Sequence, residues 1–354
     1  MCIRDRSTSY QGFVLELLTC VAAADEVARK RLRDVIGKMA EFLGALSGEV
    51  AEAPEFGDND WAVASGILRR GGKYYRQVVA AARGMCEEGG GKRFEAIRTP
   101  VFWYTGMNEE EESVAEPKVF REGGYVIWNG IAEDELPVKV CMDVGGLGLG
   151  RLAAHGHADA LSVTLHVKGE AVLIDPGTYT YHRELSWREY FRGTRAHSTL
   201  RVGGCDQARM DGPFLWGRHY RVELVHAVVS EDQFDVVARH DGYVRRYGVW
   251  HERRVAWHPL RGEWVICDKL CGRVRKVGVE LLFHVHPRRV VGMVEADRVR
   301  VEGRGYVVEL ELPLRLRWRV AMGETEPALG WYSGVLGEKE PCGVIVGVGE
   351  VSEG

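Results

Sequence analysis

Two patterns of apolar positions divide the chain. From Ser7 to about Met85, apolar residues recur at the spacing of one helix face. Phe13, Val14, Leu17 and Leu18 begin one such stripe, continued by Val21 and Val27. Leu32, Val35, Ile36, Met39, Phe42, Leu43 and Leu46 form a second. Trp61–Leu68 and Tyr74–Met85 read as two more helices, and Pro54–Asp60 (PEFGDND) as a turn-rich loop. The spacing predicts antiparallel helical hairpins from a larger array.

After Pro117 the texture changes to short β-branched runs separated by Gly, Asp or Asn. Examples are Tyr125–Trp128, Val138–Val144, Leu161–Val167, Ser198–Val202, Phe234–Arg239, Val277–His284 and Gly343–Val348. So many short strands with turn signals predict a large antiparallel sandwich. Between the halves lie a Gly-rich loop (EEGGGK, 87–92) and an acidic run (NEEEES, 108–113), which reads as solvated linker.

Composition narrows the classes. With 354 residues, 45% hydrophobic and 28% charged, the chain is long enough for two cores. A net charge of -4 lacks the basic excess of a nucleic-acid binder. No apolar run is long enough for a transmembrane segment. The 8 cysteines are dispersed without a CxxC pair and read mostly as buried thiols. Residues 1–6 (MCIRDR) show no helical pattern before the helix begins at Ser7, and read as a non-native leader.

All 12 histidines follow residue 154, and three fall in polar words. These are His155-Gly156-His157-Ala158-Asp159, then Ile174-Asp175-Pro176-Gly177, then Arg195-Ala196-His197-Ser198. Zinc takes imidazole nitrogen and carboxylate oxygen in a tetrahedral shell, and two histidines with one aspartate leave a position open. An HxH pair on a strand would point both rings to one face. Taken singly, each of these residues is an ordinary polar position at a strand end. A cupin also uses HxH, but its glutamate follows within a few residues; here the next is Glu170, thirteen positions after His157. The HExxH word of a metalloprotease helix is absent. His251, His284 and His286 read as strand histidines, and Asp58 and Asp60 of GDND as a solvated turn, with the lining of a cleft as the alternative.

The string HGHADALSVTLHVKGEAVLIDPGTYTY, then YFRGTRAHSTLRVGG and GPFLWG, resembles the C-terminal domain of the heparinase II/III-like polysaccharide lyases. STSYQGFVLEL resembles a late helix of that family's α/α toroid, where a Tyr-His pair is usual; here Gln11 follows Tyr10. The resemblance implies an α+β multidomain chain, a partial α/α toroid followed by a large antiparallel β-sandwich. Its boundaries would be toroid at 7–100, linker at 101–117 and sandwich at 118–354, with more toroid before residue 1. It implies Zn2+ held by His157, Asp175 and His197, with Asp159 orienting a ligand histidine. It also implies catalytic roles for Tyr10 and His155, and an upstream Asn or His that neutralises the substrate carboxylate.

The implied reaction is β-elimination from a uronate-containing glycan, so the expected partner is an anionic polysaccharide and the expected location periplasmic or secreted. Tyr179, Tyr181, Tyr190 and Arg192 lie between Asp175 and His197 and are expected to approach the site. Tyr179, Tyr190 and Arg192 are candidates to meet substrate, Arg192 by bidentate pairing with a carboxylate, and Trp216 is a candidate to stack on a sugar. The alternative is a carbohydrate-binding or structural module that keeps the zinc site without catalysis.

Overall fold

The computed structural model describes residues 6–47, 53–65, 74–86, 116–132, 136–273 and 276–352. Three long helices precede the strands: α1 (Thr8–Ala24), α2 (Glu26–Ser47) and α3 (Tyr74–Cys86). Ser7 caps α1 by accepting a hydrogen bond from the Tyr10 backbone N–H, which satisfies one orphan donor of the first turn. The two expected helical stripes fare differently. In α2 the buried face is the one the periodicity predicts, with Ile36, Met39, Phe42, Leu43 and Leu46 inside. In α1 it is not: Thr8, Gly12, Leu15, Thr19 and Ala22 are buried, and Leu17 and Val21 are each 43% exposed. The small residue Gly12 decides this, because a Cβ there would lie 2.7 Å from the Tyr75 ring, so α3 packs where α1 has no side chain. Residues 61–65, expected to be helical, are irregular; Glu16, buried in α1, accepts the backbone N–H groups of Ala64 and Ser65 and so anchors them outside a helix. The rest of that expected helix, and most of the expected linker, lie outside the described residues.

The strands form one large sheet faced by smaller ones. The large sheet contains β1 (Lys118–Phe120), β2 (Tyr125–Ile131), β3 (Pro137–Asp143), β4 (Val163–Val167), β5 (Glu170–Leu173) and β6 (Leu200–Val202). A short hairpin, β7 (Arg209–Gly212) and β8 (Leu215–Arg218), leads to the facing sheet of β9 (Val222–Val229), β10 (Phe234–His240), β11 (Val249–His258) and β12 (Glu263–Gly272). The chain then returns to the large sheet as β13 (Val277–Val285). A three-stranded sheet follows, β14 (Val290–Glu295), β15 (Arg298–Gly303) and β16 (Tyr306–Glu311), then β17 (Arg317–Met322), short pairs, and Gly343–Val351, which sits between β13 and β17. All named strand pairs are antiparallel, so the sandwich the sequence predicts is the observed architecture.

Period-two alternation explains how one sheet serves two cores. In β2, Val126 and Trp128 face the sandwich interior with Val140, Phe234 and Trp257, while Tyr125 and Ile127 face the helices with Phe42, Phe56 and Val78. This is why β2 and β3 are buried on both faces. Lys139 of β3 reinforces the junction: its Nζ donates to Leu46 O at 2.6 Å, an orphan carbonyl at the end of α2. Burial pulls its ammonium down to about 7. Arg6, placed by the sequence in a leader, is buried against the Tyr125 ring and pairs with Asp143. Of the described cysteines only Cys141 and Cys342 are buried; the others, including Cys267 and Cys271 on β12, are partly exposed.

Candidate active site

The site lies where the helical segment meets the irregular loop 144–162 between β3 and β4. His155 and His157 sit on this loop and not on a strand, which corrects the HxH expectation: their rings serve different neighbours. The half-exposed His155 faces Tyr10, with ring centroids 4.2 Å apart and planes within 10°. His157 is buried, its ring 5.3 Å from that of His197.

Backbone contacts fix this junction. Asp58 N donates to His155 O at 2.9 Å, and Asn59 N donates to Thr178 Oγ1 at 3.2 Å. Gly57 makes the approach possible: its φ is +64°, and a Cβ would lie 2.1 Å from Arg6 O and 2.7 Å from His155 O. The loop read as a solvated turn is thus a docking element, and Asp58 is 0% exposed.

His157, Asp175 and His197 come together. Each can offer one ligand atom such that all three lie within 4.8 Å of one another, the one such group among the described residues. His197 Nδ1 is 2.9 Å from Asp175 Oδ2, and Asp175 Oδ1 accepts the Gly177 N–H. Two ring nitrogens, His157 Nδ1 and His197 Nε2, are buried without a hydrogen-bond partner. Buried polar atoms are rarely left so, and an imidazole–carboxylate set with orphaned nitrogens is the donor chemistry zinc takes. The residues present therefore fit the group. Burial pulls His157 down to about 4, so at neutral pH it is in the neutral form a ligand needs. Burial also disfavours the charged His197, but Asp175 outweighs it and the net shift is upward.

Titratable groups lie around the triad and the neighbouring Tyr10. Burial would raise the Asp58 carboxyl, yet His157 and Arg188 hold it below the ordinary carboxylate value. Asp159 is buried close to Asp143, and both effects push it up to about 8, the neutral acid at pH 7. Tyr10 donates its hydroxyl to Asp60 Oδ2 at 2.8 Å, and burial pushes it up to about 12.

The other expected contacts divide. Tyr179 is half-buried, with its hydroxyl on Glu184 and its ring under Lys339 at 3.8 Å. Tyr190, Arg192 and Trp216 are turned inward. Tyr190 accepts the Gly330 N–H, and Trp216 donates its indole N–H to Gly156 O. Arg192 stacks on Trp216 at 4.4 Å and donates to Gly212 O. Backbone partners thus claim the Tyr190 hydroxyl, the Trp216 indole N–H and Arg192 Nη1, whereas Arg192 Nε and Nη2 are buried without a hydrogen-bond partner. Trp216, and the Arg192 carbonyl that accepts the Ala158 N–H, support the 156–158 loop from behind. Sequence reasoning places Tyr181 near the site and reads Asp58 and Asp60 as a solvated turn; it misses Arg188. The GDND word is the signal for Asp58 and Asp60, and the position between Asp175 and His197 that for Tyr181; nothing local marks Arg188.

The sequence pattern described as Heparinase II/III-like, C-terminal matches residues 112–354. The chain belongs to the heparinase II/III-like family. Solved structures with the same fold include the heparan sulfate lyase HepC from Pedobacter heparinus, 15% identical, with a TM-score of 0.69 and coverage of 98% of this chain and 50% of that one. A heparinase III gene product has a TM-score of 0.70 at 15% identity, covering 98% and 49%. Another heparinase III has a TM-score of 0.67 at 13% identity, covering 99% and 54%. This chain therefore spans about half the length of these heparinase II/III-like structures. No curated protein matches the sequence. Among the described residues no helix is long and apolar enough to cross a membrane.

Proposed function

We propose that the chain carries the active-site half of a polysaccharide lyase that cleaves a uronate-containing glycan by β-elimination. The observation that carries this reading is the stacking of Tyr10, from the helical segment, on His155, from the sandwich. Two proton-transfer groups from distant parts of the sequence face each other at a partly exposed surface. Family membership and the heparan sulfate lyases of the same fold support an anionic glycan as substrate and a periplasmic or secreted location, where such polymers are met.

Elimination requires removal of the C5 proton of the uronate and protonation of the departing O4. Tyr10 keeps its proton at neutral pH, because burial and the bond to Asp60 disfavour the phenolate. That suits it to protonate O4. His155, half-exposed beside it, is the group that takes the C5 proton. His157, Asp175 and His197 would hold zinc behind this surface, where its charge cross-links the loop that carries His155. Gln11, which stands where the family has histidine, is buried toward α2, its amide directed at Met39 O, and so does not reach the reacting surface.

The test is incubation of the full chain with heparan-type glycans, alginate and bacterial exopolysaccharides, following the ultraviolet absorbance of an unsaturated uronate. Product from one class, reduced at least about 100-fold in Tyr10→Phe, is the expected result. Metal-dependent cleavage that yields only saturated ends would contradict it.

A further inference from the structure

His157 has one ring nitrogen committed and one unclaimed. Its Nε2 lies 3.1 Å from Asp58 Oδ1, whereas its Nδ1 is buried without a partner. Asp58 is itself clamped: Arg188 Nη1 donates to Oδ1 and Nη2 to Oδ2, the latter at 2.7 Å. Arg188 Nε donates to Pro213 O at 2.9 Å, so the guanidinium is held from its far side. The rings of Tyr181 and Phe214 lie 5.1 Å from its centre. Asp58, His157 and Arg188 are all at most 1% exposed. Asp58 also stands outside the three-residue ligand group.

We infer that Asp58 and Arg188 are positioning residues for the metal: Asp58 accepts the proton of His157 Nε2, which leaves Nδ1 as the ligand atom, and Arg188 orients Asp58. The inference rests on reading His157, Asp175 and His197 as a metal site. Its physical basis is general. A ligand histidine that donates its other N–H to a carboxylate has its tautomer and ring angle fixed and its basicity raised. A bidentate arginine fork occupies one lone pair on each carboxylate oxygen and fixes the plane of the group. Here the carboxylate comes from the loop after α2, while His157 and Arg188 come from the sandwich side. Metal affinity in this chain therefore depends on the helical segment being docked, a coupling that a site built within the sandwich would lack.

The experiment uses the full chain, with Asp58→Ala and Asp58→Asn. Zinc affinity is measured by competition with a chromophoric chelator, and the His157 tautomer in zinc-free protein is read from histidine 15N shifts. The expected wild-type tautomer carries its proton on Nε2. Asp58→Ala should weaken zinc binding about 10- to 100-fold and lose the tautomer preference. Asp58→Asn, which keeps an acceptor oxygen, should retain the tautomer and lose less affinity. Unchanged zinc affinity in folded Asp58→Ala, or a wild-type proton on Nδ1, overturns the inference while leaving the metal site standing. A folded wild-type chain that binds no zinc overturns the metal reading and this one with it. If Asp58→Ala does not fold, the wild-type tautomer and the Asn variant decide.

Discussion

Replacing Arg253 by methionine should be among the most damaging single changes in the sandwich, and the structure says by how much. Arg253 is 0% exposed on β11. Its Nε and Nη2 reach Asp268 Oδ1 and Oδ2 at 2.8 and 3.0 Å. Its Nη1 donates to Leu161 O at 2.8 Å and Ser198 O at 2.7 Å. One side chain thus staples the segment after Asp159 to the segment after His197, from inside the core. Asp268 is also 2.6 Å from His251 Nε2, and His251 Nδ1 is 3.1 Å from His240 Nε2. Burial alone would raise the Asp268 carboxyl, but Arg253 and His251 hold it well below the ordinary value. Arg253→Met strips the buried carboxylate of its bidentate partner and orphans two carbonyls. Breaking a buried pair from one side costs about 3–5 kcal/mol. A domain's whole stability is about 5–15 kcal/mol, so the effect is large. Adding Asp268→Leu removes the stranded charge and should restore at least about 1 kcal/mol. Urea unfolding followed by tryptophan fluorescence, with unchanged denaturant slope, measures both variants. A loss below about 1 kcal/mol for Arg253→Met, or a double variant as unstable as the sum of the singles, refutes the reasoning.

Two further outcomes follow from the same structure. Gly57→Ala places a Cβ against Arg6 O and His155 O at a positive φ, so it should loosen the loop that carries Asp58. Faster proteolysis of the helical segment, with the sandwich intact, would show this; unchanged proteolysis would count against it. His286 is pulled down to about 4 by burial and by Arg289 and Arg288, and His166 lies well below its ordinary value, chiefly through burial. Both are neutral when folded and protonate on unfolding below pH 6.5, so their contribution is full above that pH and lost as pH falls toward about 4. The urea midpoint should fall across that window, and less steeply in His286→Gln; equal slopes would remove His286 from the explanation.

How much of this was legible in the sequence follows from which forces are local. Strand alternation is local, so β2, β3, β10 and β13 were readable, and with them the sandwich. Helix stripes were readable in α2 but not in α1, whose buried face is chosen by the rings of α3 packing over Gly12. The words that carry the proposed ligands were visible because each holds its own histidine or aspartate. Their supports were not: Asp58 looks like a polar turn, and Arg188 like any arginine on a short helix (Leu185–Arg192). Only folding brings residue 58 to residues 157 and 188. The same non-local logic turned Tyr190, Arg192 and Trp216 inward, since backbone groups distant in sequence take the Tyr190 hydroxyl, Arg192 Nη1 and the Trp216 indole N–H.

The central claim is that His157, Asp175 and His197 hold zinc, and elemental analysis of the purified full chain beside His157→Ala tests it most directly. The account predicts close to one zinc per chain in the wild type and a large loss in the variant, with both chains folded. A well-folded wild-type chain without bound zinc, or a His157→Ala chain that keeps its full complement, would contradict it.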